Sequence, residues 1–340
     1  MSILKSAVLV ILSSCMAGAQ TYRVANLGTL GGHWSSPAAV NNLGHVAGTA
    51  RLASGTGHPF LWNNVSGMQD LDPVASDTSG AYGINNSDQV VGGDTNSQHA
   101  FLWTQSAGMQ DIGTLGGCCS DAFAINDRSM IVGWSETTSG VGEAFSWTQF
   151  GGMQALLTGN GRFSNTQAYA LNNAGVIVGA GDVVSSALTQ HALMWTTNGG
   201  VTDLGSLGGM DSVALGVNAS NQVVGWSLTA GGATHPFLWS RTAGMQDLGI
   251  MGGFYACVAT GINNQGVVVG TCFANNVTQM PHAFVWTSSG GMRDLNNHVI
   301  KNNNGTLGEA VAINAHGQIV VWAASSAYFK PSRAVLLTPQ

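Results

Sequence analysis

Apolar residues along this chain come in short runs, each followed by a Gly-containing turn and a second short run. The clearest case is His99-Ala100-Phe101-Leu102-Trp103, then a turn, then Gly108-Met109-Gln110-Asp111-Ile112. Two such runs around a Gly turn predict a β-hairpin. The phrase returns at positions 58–71, 191–205, 235–249 and 282–295. No window carries the 3.6-residue period of an amphipathic helix. The expected class is therefore all-β.

The repeat sets the architecture. Seven Asn residues, each after an aliphatic residue, mark equivalent points: Asn41, Asn85, Asn126, Asn172, Asn218, Asn263 and Asn314. Their spacings are 44, 41, 46, 46, 45 and 51 residues. Units of this length with several short strands predict a β-propeller. In the third unit the expected strands are 109–112, 120–125, 130–135 and 144–147. The second of these carries small residues at period two, Ala122 and Ala124, as do Ala81 and Gly83 or Ala168 and Ala170. Period two places each pair on one face, and small residues suit the crowded strand nearest the axis. The expectation is a seven-bladed propeller with four short antiparallel strands per blade. The segment beginning at Tyr22 should pair with the one around Val335 to close the ring, which removes sheet edges.

The recurring words Asp-Leu-Gly-Thr-Leu-Gly-Gly, Gly-Ile-Asn, Val-Val-Gly and His-Ala-Phe-Leu-Trp resemble the HAF repeat of bacterial extracellular proteins. His-Ala-Phe itself stands at His99–Phe101 and His282–Phe284. The resemblance runs from about Tyr22 to the end. It departs at Glu143-Ala144-Phe145 and Arg333-Ala334-Val335, which lack the His. It implies an exported bacterial protein and carries over no catalytic residue.

Composition narrows the partners. The 340 residues hold 10 Lys+Arg against 16 Asp+Glu, a net charge of -6, with no basic run. Nucleic-acid binding therefore lacks its electrostatic footprint. Residues 1–20 read as a signal peptide: Lys5, an apolar stretch from Ala7 to Leu12, and a small-residue site at Ala17-Gly18-Ala19. The mature domain would span 21–340. Leu12-Ser13-Ser14-Cys15 loosely matches a lipobox, so a lipid anchor through Cys15 is the alternative to free secretion. No other run is long enough for a spanning helix. An extracellular or periplasmic monomer is expected.

Candidate chemistry is sparse. His58, His99, His191, His235 and His282 recur at equivalent positions, as do Asp70, Asp111, Asp203, Asp247 and Asp294. Symmetry mates around a ring do not converge on one metal ion, so hydrogen bonding within each blade is expected, and no metal or cofactor. The Asn residues are read as turn formers rather than a ring of ligands. Trp62, Trp103, Trp147, Trp195, Trp239 and Trp286 are read as packing between blades. What does not recur is freer for function. Trp34 and His33 in one linker, and Asp121 and Asp211 in or beside two others, are the candidate binding residues. The irregular linkers 72–79, 157–166 and 296–306 are further places to look. Cys257 and Cys272 should face each other across a turn and form a disulfide, while adjacent Cys118 and Cys119 are left as free or buried thiols or a vicinal bridge. These features lead to a non-enzymatic binding or scaffold module that presents loops on one propeller face to a glycan or cell-envelope protein. The alternative is a carbohydrate-active hydrolase or lyase at the channel mouth.

Overall fold

The computed structural model describes residues 20–72, 79–186, 189–196, 200–274, 280–300, 305–324 and 332–340. Residues 1–19 of the expected signal segment, with Cys15, lie outside these residues, as do most of linker 72–79 and the middle of linker 296–306. The described chain forms seven four-stranded antiparallel sheets. We number the blades by their innermost strands: Gly31–Val40, Ser79–Ile84, Gly116–Ile125, Phe163–Leu171, Gly208–Val217, Ala256–Ile262 and Thr306–Ile313. Blade 3 continues outward through Ile131–Thr137, Gly142–Thr148 and Gly152–Ala155. In blade 7 the outermost strand is Tyr22–Asn26, which pairs with Arg333–Pro339 from Tyr22↔Pro339 to Asn26↔Val335. The two ends of the chain thus close the ring.

The inner strand is where sequence and geometry constrain each other most. It carries a bulge in every blade, between Ala122 and Ala124 in blade 3. The bulge pushes the Asp121 backbone toward the next strand. A Cβ on Gly133 would lie 1.9 Å from the Asp121 carbonyl oxygen, with the Phe145 ring 2.9 Å away on the other side. The Gly of each Val-Val-Gly phrase is therefore a steric requirement. The inner strands of blades 1, 3 and 5 also extend into the Gly-Gly linkers, which sequence reading assigned to loops. Gly116 takes φ of 98° and a Cβ on Gly117 would lie 2.7 Å from Glu136 atoms. As a result Trp34, Cys119 and Asp211 are not loop residues but occupy one equivalent position on three strands.

The apolar core is distributed between blades. Each blade-to-blade interface holds one buried cluster among the described residues. Trp103 and Trp195 each pack onto the preceding blade and are nearly fully buried. A buried Ser on the inner strand stitches neighbouring blades. Ser120 Oγ donates to the Gly113 carbonyl at 2.7 Å and accepts the Ala100 N–H at 2.8 Å. Ser35 and Ser212 do the same in their blades.

The Asn residues do more than turn the chain. Asn126 Oδ1 accepts the N–H groups of Arg128 and Met130, each at 3.0 Å, and so holds its own turn. Its Nδ2 donates to the Asn172 carbonyl of the next blade at 3.1 Å. The same bond runs from Asn41 to Asn85, Asn85 to Asn126, Asn172 to Asn218, Asn218 to Asn263, Asn263 to Asn314, and Asn314 back to Asn41. Seven side chains form a closed hydrogen-bonded ring around one channel mouth.

Cys257 and Cys272 are register partners, with Cα atoms 4.1 Å apart, and form the expected disulfide. The turn is centred on Gln265, which alone would offset them by one. The bulge between Ala259 and Gly261 restores the match. Cys118 and Cys119 are joined as a vicinal disulfide. Both bridges fit an oxidising compartment. Among the described residues no helix is long and apolar enough to cross a membrane.

Candidate functional site

Repeated polar residues are consumed by structure. His99 Nδ1 lies 2.8 Å from Asp111 Oδ2 within one blade, and the Asp also accepts the Gly113 N–H at 2.7 Å. Equivalent pairs join His58 to Asp70, His191 to Asp203, His235 to Asp247 and His282 to Asp294. At the Asn mouth, a cavity of about 250 Å³ is lined by the seven ring Asn, whose amide donors are engaged by the next blade, and by the polar residues that follow them. Asp127 sits on its rim. Burial opposes ionisation there, but the Asn86 N–H and the side-chain amides of Asn173 and Asn86 outweigh it and hold the carboxyl low.

The opposite end of the inner strands is different. A cleft of about 430 Å³ opens between blades 1, 2 and 3, lined in part by Trp34, Tyr82, Gln98, Cys119 and Asp121. Trp34 is half-buried, and the Arg51 guanidinium lies 5.8 Å from its ring centre. Tyr82 begins an aromatic row along the channel. Its ring is 6.0 Å from Phe123, which stacks on Tyr169 at 5.5 Å. Asp121 points toward blade 2, where a Cβ on Gly93 would lie 2.0 Å from its Oδ1. Gly93 thus makes the space the carboxylate occupies. Burial raises the Asp121 carboxyl above its ordinary range, and burial with the nearby Asp121 charge raises the Tyr82 phenol. Among the described residues no hydrogen bond reaches the Asp121 carboxylate. The cleft's other acid, Asp94, is held by the N–H groups of Asn96 and Ser97 and the Ser97 hydroxyl, at 3.0, 3.2 and 2.9 Å.

Two of the four candidates, Trp34 and Asp121, therefore meet in one cleft. His33 is exposed beside it, and its carbonyl accepts a bond from Arg333. Asp211 is elsewhere, with Oδ1 accepting the Gln190 N–H at 3.0 Å to join blades 5 and 4. Sequence reading did not single out Tyr82 or the role of Cys118–Cys119 as a wall. The disulfide edges the cleft through Cys119, and the Cys118 N–H donates to Glu136 at 2.9 Å. Its sulfurs are bonded to each other, so they offer no thiolate to a metal. Tyr82 had one available signal: an aromatic recurs at its place on the inner strand, three residues before the ring Asn, as Phe123 and Tyr169 in the next two blades.

No protein-family profile matches the chain, and no curated protein matches it. Solved structures do match. Virginiamycin B lyase from Staphylococcus aureus is 12% identical, with a TM-score of 0.51 over 94% of this chain and 99% of that one. A puromycin hydrolase S511A mutant complexed with PGG is 11% identical, with a TM-score of 0.56 over 87% of this chain and 51% of that one. At these identities the likeness shows the propeller fold alone.

Proposed function

We propose that the protein is an exported HAF-repeat propeller that recognises a glycan in the cleft between blades 1, 2 and 3, without catalysing a reaction on it. The observation that carries this reading is the convergence of Trp34, Tyr82 and an Asp121 carboxylate that accepts no hydrogen bond among the described residues. An unpartnered, partly buried carboxylate is costly. Ligand hydroxyls would supply its missing donors. The aromatic faces would take the apolar C–H face of a sugar ring, since aromatic walls with a few placed polar groups are the usual make-up of a small-ligand pocket. The cavity, about 430 Å³, is within the size range of such pockets.

The raised Asp121 carboxyl favours a second reading, since a protonated acid can assist glycosidic cleavage. Hydrolysis also needs a second free carboxylate, and Asp94 is occupied by its own turn. The test is a glycan array of the mature protein beside Trp34→Ala and Asp121→Asn, with every bound glycan then incubated and its products separated. Recognition predicts binding lost in W34A, weakened in D121N, and no products. Products that disappear in D121N would establish the enzyme reading, and unchanged binding by both variants would remove the cleft from consideration.

A further inference from the structure

A second cleft opens at the seam between blades 6 and 7, on the Asn side of the ring. Its volume is about 340 Å³, and Val267, Val285, Ile313, Pro339 and Tyr22 give it an apolar lining. The repeat is broken at this seam twice. In blades 1 to 6 the third strand places a Trp opposite the start of the second: Trp147 pairs with Ile131 and Trp195 with Ile177. In blade 7 that place, opposite Ile319, is held by Leu337. The corresponding cleft between blades 3 and 4, lined by Trp195, is smaller at about 250 Å³.

The second break is one of charge. The outermost strands of blades 1, 2, 3 and 5 carry Gln69, Gln110, Gln154 and Gln246 after the Met, whereas blade 6 carries Arg293. The Arg293 side chain lines the cleft and makes no hydrogen bond or ion pair among the described residues. His298 and His316 line it as well, and their rings have no hydrogen-bond partner among those residues. Among the described residues no Asp or Glu lines the cleft. The adjacent Asp294 is held by His282 at 2.7 Å. The Arg293 guanidinium lies beside the Gly290 turn at the edge of the cleft, where a Cβ on Gly290 would lie 2.7 Å from Nη2, an unusual placement for an unpaired cation in a chain with only 10 Lys+Arg and a net charge of -6.

We propose that this seam cleft binds a small carboxylate with a hydrocarbon body. The planar fork of Arg293 suits a carboxylate, to which it can donate two parallel hydrogen bonds. The apolar walls take the body, and the missing indole provides its room. A bare anion would leave the walls unused, and a neutral hydrocarbon would leave the cation unpaired.

The test is titration calorimetry of the mature protein with octanoate, octanol and inorganic phosphate. Octanoate should bind more tightly than either. Arg293→Gln restores the residue of four other blades. A charge-assisted pair is worth ~1.5–3 kcal/mol, so the variant should bind octanoate about 10- to 100-fold more weakly and octanol as before. Leu337→Trp restores the residue of the other blades and should abolish binding of both with the propeller still cooperatively folded. If L337W does not fold, R293Q decides alone. Three results would overturn the proposal: no octanoate binding by the natural chain, phosphate or octanol binding as tightly as octanoate, or octanoate affinity unchanged in R293Q.

Discussion

Replacing Asn126 by Ala probes the ring of Asn clasps directly. The side chain is buried at 5% exposure and takes part in three hydrogen bonds, two within its turn and one to the next blade. Each is worth about 1 kcal/mol net, and any partner left unsatisfied adds to that. The expected loss is about 2–4 kcal/mol, a large share of the roughly 5–15 kcal/mol that holds a typical domain together. The incoming clasp from Asn85 uses the Asn126 main-chain carbonyl and survives the change, so the loss stays local. The control is Asn264→Ala, one residue beyond the ring. Asn264 is exposed, its Oδ1 accepts a single N–H from Ala219 at 3.0 Å, and two blades already carry Ala there, at Ala219 and Ala315. That change should cost less than about 1 kcal/mol. Urea unfolding followed by tryptophan fluorescence measures both, with the denaturant slope checking that the unfolded state is comparable. Equal midpoints for the two variants would refute the assignment of the Asn ring as a principal fastening.

Asp121→Asn should unfold at higher urea than the natural chain at neutral pH. Burial raises the folded carboxyl, so its contribution to stability is intact below the unfolded value and is lost as pH rises through the folded one; the two proteins should converge in acid. Asp127→Asn has the opposite sign. Its lowered carboxyl stabilises the fold above the ordinary carboxylate range and loses that effect as pH falls through the folded value, so the variant's midpoint should fall less below about pH 4. Gly93→Ala should displace the Asp121 carboxylate and weaken glycan binding on the array, since the added Cβ would otherwise lie 2.0 Å from Oδ1. Joint replacement of Cys257 and Cys272 by Ala should cost about 3 kcal/mol, because the bridge closes a loop of separation 15; a natural chain whose midpoint is unmoved by reductant would contradict this.

The blade plan was legible because it is a local pattern repeated seven times. Ala122 and Ala124 identified the innermost strand, and the ends at Tyr22 and Val335 identified the closure. The Asn residues were half legible. Their turns follow from the dipeptides, but the clasp crosses between residues 41 to 51 positions apart, or 273 at the closure, and no local pattern encodes it. The inner strands were placed too short, because Gly-Gly reads as a linker although here it continues the ladder. The cleft was legible only as parts. Trp34 and Asp121 stood out as unrepeated, but they meet through three blades, with Tyr82 between them. Asp211 looked equally irregular. Its role as a bond to Gln190 depends on the neighbouring blade rather than on its own.

Hydrogen exchange of the protein, with and without the tightest glycan from the array, tests the glycan reading most directly. The account predicts slowed exchange at 31–36, 79–82 and 117–123, the strands that carry Trp34, Tyr82 and Asp121, with the Asn mouth unchanged. Slowed exchange at the Asn turns, or spread evenly over all seven inner strands, would contradict it.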